Sequence, residues 1–261
     1  MHDLSRALEM VACSDAGRVR GNNEDAIHVN PELGLAILAD GMGGHNAGEV
    51  ASAMAITALG SELEHALGKR SPRPAVGRPG PRAVLGDVIL RTNAAVYLAA
   101  RNNPRLAGMG TTLVVVQFHD DRLVVAHVGD SRLYRLRAGL LTQLTRDHTQ
   151  LQEQIDKGII SPAAARSAPN RNLVTRALGV EASVAAEMND YEVLPGDLYL
   201  LCSDGLNDMV EDREIASVMA SFSADLQLCA ARLIQTANEY GGRDNVSVIL
   251  VGVMAPFPAP A

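Results

Sequence analysis

The order of predicted helices and strands constrains the fold of this chain more than any other feature of its sequence. Short apolar or β-branched runs bounded by turn residues predict strands at 26–29, 34–39, 112–118, 123–128, 133–137, 197–202 and 246–251. Longer helical patterns come in two pairs, at 48–67 with 83–101 and at 212–220 with 224–240. Because helices and strands are segregated and do not alternate, we expect an α+β fold with antiparallel sheets covered by helices, and not a doubly wound parallel sheet.

Length and charge limit the classes of function. The chain has 261 residues, 47% of them hydrophobic, and can bury a core without disulfides or a structural metal. Its formal net charge of −7 disfavours binding to nucleic acid or an anionic membrane, because such partners require concentrated Lys and Arg. Acidic sites that bind cations remain open.

The cysteines and the N-terminal segment favour a reducing compartment. Cys13, Cys202 and Cys229 are far apart, and an odd number of cysteines without a C-x-x-C pair is a poor disulfide framework. The first residues lack a basic stretch followed by an apolar core, and no apolar run approaches the ~18 residues of a membrane span. We therefore expect a cytoplasmic protein without membrane insertion.

One segment, 69–82, fits neither helix nor strand. It contains five Lys or Arg residues, four prolines and no acid. Proline cannot continue a helix or a strand ladder, so we expect a loop between two helices. The loop is either a solvated connector or a docking site for an acidic partner.

Acidic residues stand at the ends of apolar runs in four places, each close to glycine: Asp40, Asp130, Asp204 and Asp244. A single Asp-Gly pair is typical of a turn, so one such pair alone indicates little. Four carboxylates gathered at one end of a sheet would repel each other unless a cation lay among them. Ligation by oxygen atoms alone favours Mg²⁺ or Mn²⁺ over Zn²⁺, and the histidines show no zinc-type spacing.

An arginine precedes two further acids in the N-terminal third of the chain. Arg20 lies four residues before Glu24 and five before Asp25. Its guanidinium group can bind phosphate with two hydrogen bonds, so a cation site beside it indicates phosphoryl chemistry, although a solvated turn has the same composition. The sequence has no Walker loop, no Cys followed by Arg six positions on and no G-x-S-x-G elbow, which disfavours nucleotide, thiol and serine routes.

Eight short strings follow one another in an order that is typical of one family. They are VR with NED (19–25), ADGMGGH (39–45), GTT (110–112), HVGDSR (127–132), LTRDHT (144–149), LVTRALG (173–179), LCSDGL (201–206) and GRDN (242–245). Together they resemble the metal-dependent protein serine/threonine phosphatases of the PPM, or PP2C, family, and most closely its bacterial branch. The resemblance extends over 9–253, nearly the whole chain.

The resemblance implies one domain over 1–261, an α-β-β-α sandwich of two antiparallel sheets flanked by helix pairs. It also implies a centre of two tightly bound Mn²⁺ or Mg²⁺ ions, with a weaker third ion. By matching positions, the resemblance implies that Asp40 is the bridging carboxylate. Asp204 and Asp244 would be the other ligands of the first metal, and Glu24 and the Gly41 carbonyl those of the second.

The same matching gives the remaining roles. The third-metal ligands are Asp130, Asp204 and Asp208, and Arg20 is the phosphate clamp. Asp25 and Asn245 would orient bound waters.

One position departs from the animal members of the family. Met42 stands where those members have a histidine that is proposed as the general acid, and methionine cannot donate that proton. His45 is the nearest replacement, although it can equally be structural or face solvent, and a metal-bound water can serve instead.

The function implied by the resemblance is hydrolysis of phosphoserine and phosphothreonine in proteins, through a dinuclear centre and a metal-bridging water. The expected partners are phosphorylated proteins, among them a bacterial Ser/Thr kinase or its targets, and we expect a monomer. A non-catalytic regulatory or binding module with the same fold is the alternative, but it should lack one or more of the acidic ligands, and Glu24, Asp40, Asp204 and Asp244 are all present. A metal-dependent nuclease is disfavoured by the negative charge.

Segment 149–172 is predicted to form a mobile flap beside the metal centre, because it links two of the strings that the resemblance brings near the site. We expect it to select protein substrates without taking part in the chemistry. The alternative is an ordered helix on the flank of the domain, with an apolar stripe formed by Leu151, Ile155, Ile159 and Ile160.

Overall fold

A computed structural model describes residues 3–44, 47–68, 79–161, 164 and 173–257. The strands within these residues are β1 (Leu8–Asp15), β2 (Asp25–Asn30), β3 (Leu35–Met42), β4 (Gly110–Thr111), β5 (Leu113–His119), β6 (Arg122–Val128), β7 (Arg132–Arg137), β8 (Leu140–Gln143), β9 (Glu187–Glu192), β10 (Leu198–Cys202) and β11 (Val246–Val253). They form two antiparallel sheets. Sheet one has the order β1-β11-β10-β7-β8, and sheet two has the order β2-β3-β5-β6-β9 with β4 paired to β3.

The described helices are α1 (Ala47–Gly68), α2 (Pro81–Asn102), α3 (Gln150–Asp156), α4 (Asp204–Asn207), α5 (Asp212–Ser221) and α6 (Leu226–Glu239), with a single 3₁₀ turn at Pro104–Leu106. Helices α1 and α2 cover sheet two, and α5 and α6 cover sheet one. Two residues of α1, Leu59 and Leu63, pack with Leu35 and Ile37 of β3. Leu233 of α6 packs with the sheet-one core in the same way.

A third apolar layer lies between the sheets. It includes Leu38 and Val116 from sheet two with Tyr199, Leu201 and Ile249 from sheet one, all fully buried. Alternate residues of a central strand therefore face the helices and the other sheet, which explains why β3 and β11 are apolar along almost their whole length. The arrangement is the predicted α-β-β-α sandwich.

All seven predicted strands and all four predicted helices are present, with ends within a few residues of those expected. Strands β1, β4, β8 and β9 were missed. Strands β1, β8 and β9 lie at the edges of their sheets, and β4 is a two-residue strand that pairs only with β3. An edge strand has one unpaired side and is often short or polar, so β9, with the sequence EMNDYE, carries no apolar alternation to detect.

Helix α2 is the one described helix that is long and apolar enough to cross a membrane by length and composition. One face of it, with Leu85, Val88 and Ile89, is buried against sheet two and α1. Core helices pass the same test, so the observation is weak evidence for a span.

The two irregular segments are only partly described. In 69–82, residues 69–78 lie outside the described part of the chain. Arg82 forms an ion pair with Asp190 and donates a hydrogen bond to the Met188 carbonyl at 2.9 Å, which ties the start of α2 to β9. In 149–172, α3 is an ordered helix, while 162–163 and 165–172 lie outside the described residues.

Candidate metal centre

The candidate site lies where strands of both sheets end. Asp25 and Asp40 are opposite each other in the register of β2 and β3. The main chain of Asp40 is held by two threonines: its N–H donates to Thr112 Oγ1 at 3.0 Å, and its carbonyl accepts from the Thr112 N–H at 2.8 Å and from Thr111 Oγ1 at 2.9 Å. These bonds fix the backbone from which the Asp40 carboxylate projects.

A serine connects the two sheets at this point. Ser203, which directly follows β10, donates from Oγ to Asp25 Oδ2 at 2.8 Å, and the same Oγ accepts from the Ser247 N–H at 2.9 Å. Asp25 Oδ1 is buried without a hydrogen-bond donor among the described residues. A buried carboxylate oxygen without a donor is costly in the protein alone and is suited to a cation or water.

The loop that carries Glu24 is held by main-chain hydrogen bonds. The Glu24 carbonyl accepts from Ser52 Oγ at 2.6 Å and from the Gly41 N–H at 3.1 Å. The Glu24 N–H donates to Asn245 Oδ1 at 2.8 Å, and Asn245 Nδ2 donates to the carbonyls of Ala16 and Asn22. The amide of Asn245 therefore serves the main chain around Glu24, and its predicted role in orienting a water stays a prediction.

Two glycine contacts bring the acidic segments close together. A Cβ at Gly48, in the first turn of α1, would lie 2.6 Å from Glu24 Oε2 and 2.8 Å from the Gly41 carbonyl carbon. A Cβ at Gly205, next to Asp204, would lie 1.9 Å from the Asn245 carbonyl oxygen. No side chain fits at either position, so glycine permits the close approach.

Arg20 and Asp244 lie together at the more exposed side of the site. Arg20 Nη2 donates to Asp244 Oδ2 at 2.7 Å, and the Arg20 side chain is 53% exposed. This hydrogen bond and the charge of Asp244 raise the pKa of the Arg20 guanidinium above its ordinary value. The guanidinium is thus permanently charged and accessible beside the carboxylates.

Asp130, Asp204 and Asp208 complete the cluster. Asp204 is the first residue of α4, and its carbonyl accepts from the Asp208 N–H at 2.8 Å. Asp130 is 7% exposed and follows Gly129, whose φ of 101° favours glycine. The structure thus brings all four carboxylates that follow apolar runs to one end of the sandwich, together with Glu24 and Asp25.

Burial and mutual repulsion disfavour the charged form of these carboxylates. Burial raises the pKa of Asp40 and Asp204 well above the ordinary value, and the charges of Asp25, Asp130 and Asp244 raise both further. Burial also raises the pKa of Asp25 to about 6 and that of Asp130 to about 7. Positive charge among these groups would relieve the repulsion. Because the donors are oxygen atoms only, the residues present fit Mn²⁺ or Mg²⁺.

A second cluster, which the sequence analysis missed, lies beside Asp130. The rings of His127 and His148 stack with centroids 4.8 Å apart and planes 12° apart, and Glu187 lies nearby. His127 Nε2 lies 2.8 Å from the Arg146 carbonyl, and His148 Nδ1 accepts from the Gly129 N–H at 3.1 Å.

This histidine cluster is poorly suited to a metal. One lone pair of His148 is already used by the Gly129 N–H, and the guanidinium Nη1 of Arg176 lies 3.3 Å from His148 Nε2, where its charge repels a cation. Burial lowers the pKa of His148 to about 4 and also lowers that of His127, so both rings are neutral. Each histidine belongs to one of the eight strings, which was the signal available in the sequence.

Comparisons with known proteins agree with this geometry. A family model described as protein phosphatase 2C matches residues 17–244. The serine/threonine protein phosphatase PstP of Mycobacterium tuberculosis is 42% identical over 257 residues, which are 97% of this chain and 46% of the relative. The chain thus spans about half the length of that relative. The serine/threonine phosphatase stp of Listeria monocytogenes is 38% identical over 91% of this chain and 93% of its own length.

A solved structure shows the same fold with metal bound. The catalytic domain of PstP, crystallised with two manganese ions, superposes with a TM-score of 0.82 at 39% identity, covering 95% of this chain and 99% of that one. Three observations lead to one assignment. The chain has two antiparallel sheets between helix pairs, it has an oxygen-lined acidic cluster where their strands end, and the family model matches most of its sequence. The chain belongs to the protein phosphatase 2C family.

Proposed function

We propose that this chain hydrolyses phosphoserine and phosphothreonine in proteins with two Mn²⁺ or Mg²⁺ ions held by the acidic cluster. The observation that carries the proposal is the convergence of six carboxylates from both sheets on one oxygen-lined site: Glu24, Asp25, Asp40, Asp130, Asp204 and Asp244. The serine/threonine phosphatase names of two relatives and the manganese of one of them support it.

In this proposal each carboxylate has a defined part. Asp40 would be shared by the two ions, Asp204 and Asp244 would hold the first, and Glu24 with the Gly41 carbonyl would hold the second. Bound divalent cations supply Lewis acidity, which makes water more acidic and offsets the charge of a phosphate group. Asp130 and Asp208, with Asp204, would hold a weaker third ion.

The residues around the carboxylates keep them in place. Thr111 and Thr112 hold the main chain of Asp40, Ser203 orients Asp25 across the two sheets, and Asn245 anchors the backbone of Glu24. Such fixed, pre-arranged groups lower the cost of reorganisation when a doubly charged substrate binds.

Arg20 would bind the substrate phosphate. Its guanidinium lies within hydrogen-bond distance of Asp244 and is half exposed, so a phosphate entering beside the carboxylates can accept two hydrogen bonds from it. Met42 has no proton to donate to the leaving serine or threonine oxygen, and His45 lies outside the described residues.

The substrate class defines the expected partners. A protein phosphoserine or phosphothreonine must be produced by a protein kinase, so we infer that the chain opposes a Ser/Thr kinase. We also propose that it acts as one domain, as a monomer and in the cytoplasm. A module that had lost catalysis would lack part of the carboxylate set, whereas every member of the set is present and lies in the site.

Hydrolysis of a phosphothreonine peptide tests the proposal. Protein treated with EDTA should be inactive, and activity should return with Mn²⁺ or Mg²⁺. Asp40→Asn should remain inactive when Mn²⁺ is added, because the shared carboxylate is lost. Asp87→Asn, which changes an exposed carboxylate on α2, is the matched control and should behave as the unchanged protein. Full activity in EDTA would refute the proposal.

A further inference from the structure

His148 makes more contacts with the site than any role given above requires. Its main-chain N–H donates to the Gly129 carbonyl at 2.9 Å, while its ring Nδ1 accepts from the Gly129 N–H at 3.1 Å. Both polar groups of Gly129 are therefore bound by one residue, and the next residue is Asp130. The His148 side chain is almost fully buried.

The backbone conformation and the close packing of Gly129 leave it little room to move. It adopts a φ of 101°, and the position of a Cβ would lie 2.7 Å from the methyl group of Thr112. Thr112 is also the residue that holds the main chain of Asp40. A shift of Gly129 would thus disturb the backbone that carries Asp130 and press on the residue that supports Asp40.

The second set of contacts leads to the segment 149–175. The His148 carbonyl accepts from the Thr175 N–H at 2.7 Å, and Thr149, the following residue, pairs with Val174. Thr149 also caps α3, since its Oγ1 accepts from the Gln152 N–H at 3.1 Å. Both ends of the segment are therefore held at His148.

The hydrogen bond to Gly129 defines the protonation of the ring. Because Nδ1 accepts from an N–H, it carries the lone pair, and the neutral ring has its proton on Nε2. The Nε2–H then faces Glu187 Oε2 at 3.6 Å. Arg176 Nη1 lies 3.3 Å from Nε2, but a guanidinium only donates, so in this tautomer the contact is not a hydrogen bond. The stacked ring of His127 fixes the ring plane.

From these contacts we propose that His148 is a positioning residue that holds Asp130 through Gly129 and sets both ends of segment 149–175 relative to that carboxylate. The proposal rests on the proposed function, in which Asp130 binds the third ion. His148 touches neither substrate nor the reacting atoms. It acts by supplying one hydrogen-bond acceptor at one place.

Two substitutions separate this role from simple packing. In His148→Asn, the side-chain Oδ1 stands where Nδ1 stood and can still accept from the Gly129 N–H. In His148→Leu, the side chain fills part of the space but offers no acceptor, and the Gly129 N–H is left buried without a partner. His28→Leu is the matched control, since His28 bonds to Glu64 and lies outside the site.

The assay is kcat/KM on a phosphothreonine peptide at saturating Mn²⁺, with calorimetric Mn²⁺ titration of each variant. His148→Leu should lower kcat/KM by about ten- to a hundredfold, the range that a lost buried hydrogen bond gives when its cost falls on the transition state. The kcat/KM of His148→Asn should stay within about threefold of that of the unchanged protein, because the acceptor for the Gly129 N–H is kept. A barrier change of 1.36 kcal/mol would give a tenfold difference. Both variants should still bind two tight Mn²⁺ ions.

The double variant His148→Leu with Asp130→Ala gives the deciding result. If His148 acts through Asp130, the double variant should be no slower than Asp130→Ala alone, because the two losses are not additive. Additive losses, or equal losses in His148→Asn and His148→Leu, would overturn the proposal. If His148→Leu does not fold, His148→Gln takes its place in the experiment. The side-chain acceptor of Gln is one bond further from the main chain than that of Asn, so kcat/KM should be lower for His148→Gln than for His148→Asn.

A failure of the proposed function gives a different result. In that case the unchanged protein itself would bind no Mn²⁺ or would not hydrolyse the peptide. If the unchanged protein binds Mn²⁺ and is active while His148→Leu equals it, only the role of His148 is refuted.

Discussion

Replacing Asp130 by asparagine should stabilise the metal-free protein, although it removes a carboxylate of the proposed third site. Asp130 is 7% exposed. Burial first, and then the negative charges of Asp147 and Asp208, raise its pKa to about 7, while Arg132 offsets only part of the shift. Asparagine has nearly the same shape and no charge, so Asp130→Asn removes the repulsion while keeping the packing.

The size of the gain follows from the difference between the folded and unfolded states. The pKa of Asp130 is about 7 when folded against an ordinary value of 3.8, and each unit is worth about 1.36 kcal/mol. Charged Asp130 therefore destabilises the fold by up to about 4 kcal/mol. For a protein of this size about 1 kcal/mol shifts Tm by roughly 2–4 °C, so a gain of about 4 kcal/mol should raise Tm by roughly 8–16 °C.

The sign of the pH dependence follows from the raised pKa. Between pH 3.8 and about 7 the folded protein binds a proton at Asp130 that the unfolded chain has lost. The destabilisation that Asp130 causes therefore grows as pH rises through this window and is complete above it. Thermal unfolding in EDTA should show the full gain for Asp130→Asn at pH 8 and roughly two fifths of it at pH 5. Asp87→Asn is the control, with an expected change within about 0.5 kcal/mol. No gain at pH 8, or equal gains at both pH values, would refute the reasoning.

Three further outcomes are expected. Arg20→Ala should raise KM and lower kcat/KM while calorimetry shows Mn²⁺ binding retained, and Arg20→Lys should recover only part of the activity because an ammonium group cannot bind phosphate bidentately. Gly48→Ala should lower the free energy of unfolding by about 1–3 kcal/mol and weaken Mn²⁺ binding, since its Cβ would lie 2.8 Å from the carbonyl carbon of Gly41. Gly60→Ala in the same helix is the control, and it should leave stability unchanged or raise it, because its nearest contact is at 3.5 Å. Replacing 159–166 by a Gly-Ser linker should leave p-nitrophenyl phosphate hydrolysis within a few fold but change the relative rates among phosphopeptides.

Strands covered on both faces were predictable, because both of their faces need apolar side chains. Strand β3 and strand β11 are continuous apolar runs, and their ends are marked by Asp40 and the Asp244 segment. Of the four edge strands only β2 was predicted, and β1, β8 and β9 were not, since pairing on one side imposes a weaker pattern. Local periodicity also cannot show which strand ends meet.

The acidic residues of the site were predictable as a set, but not their supports. The bond from Ser203 to Asp25 joins residues 178 positions apart, and the Gly48 contact depends on how α1 packs on β3. His148 was visible only as part of the string LTRDHT, because its contact with Gly129 arises from tertiary packing. Long-range polar contacts of this kind leave no periodic signal in one sequence.

Calorimetric titration of the EDTA-treated protein with Mn²⁺, alongside Asp40→Asn, tests the central claim most directly. If the acidic cluster is a two-metal centre, the unchanged protein should bind two tight equivalents and gain thermal stability. Binding should also release protons, because buried carboxyls whose raised pKa keeps them protonated without metal must ionise to hold the ions. Asp40→Asn should lose tight binding at both sites. Absence of tight Mn²⁺ binding in the unchanged protein, or equal binding by Asp40→Asn, would contradict the account.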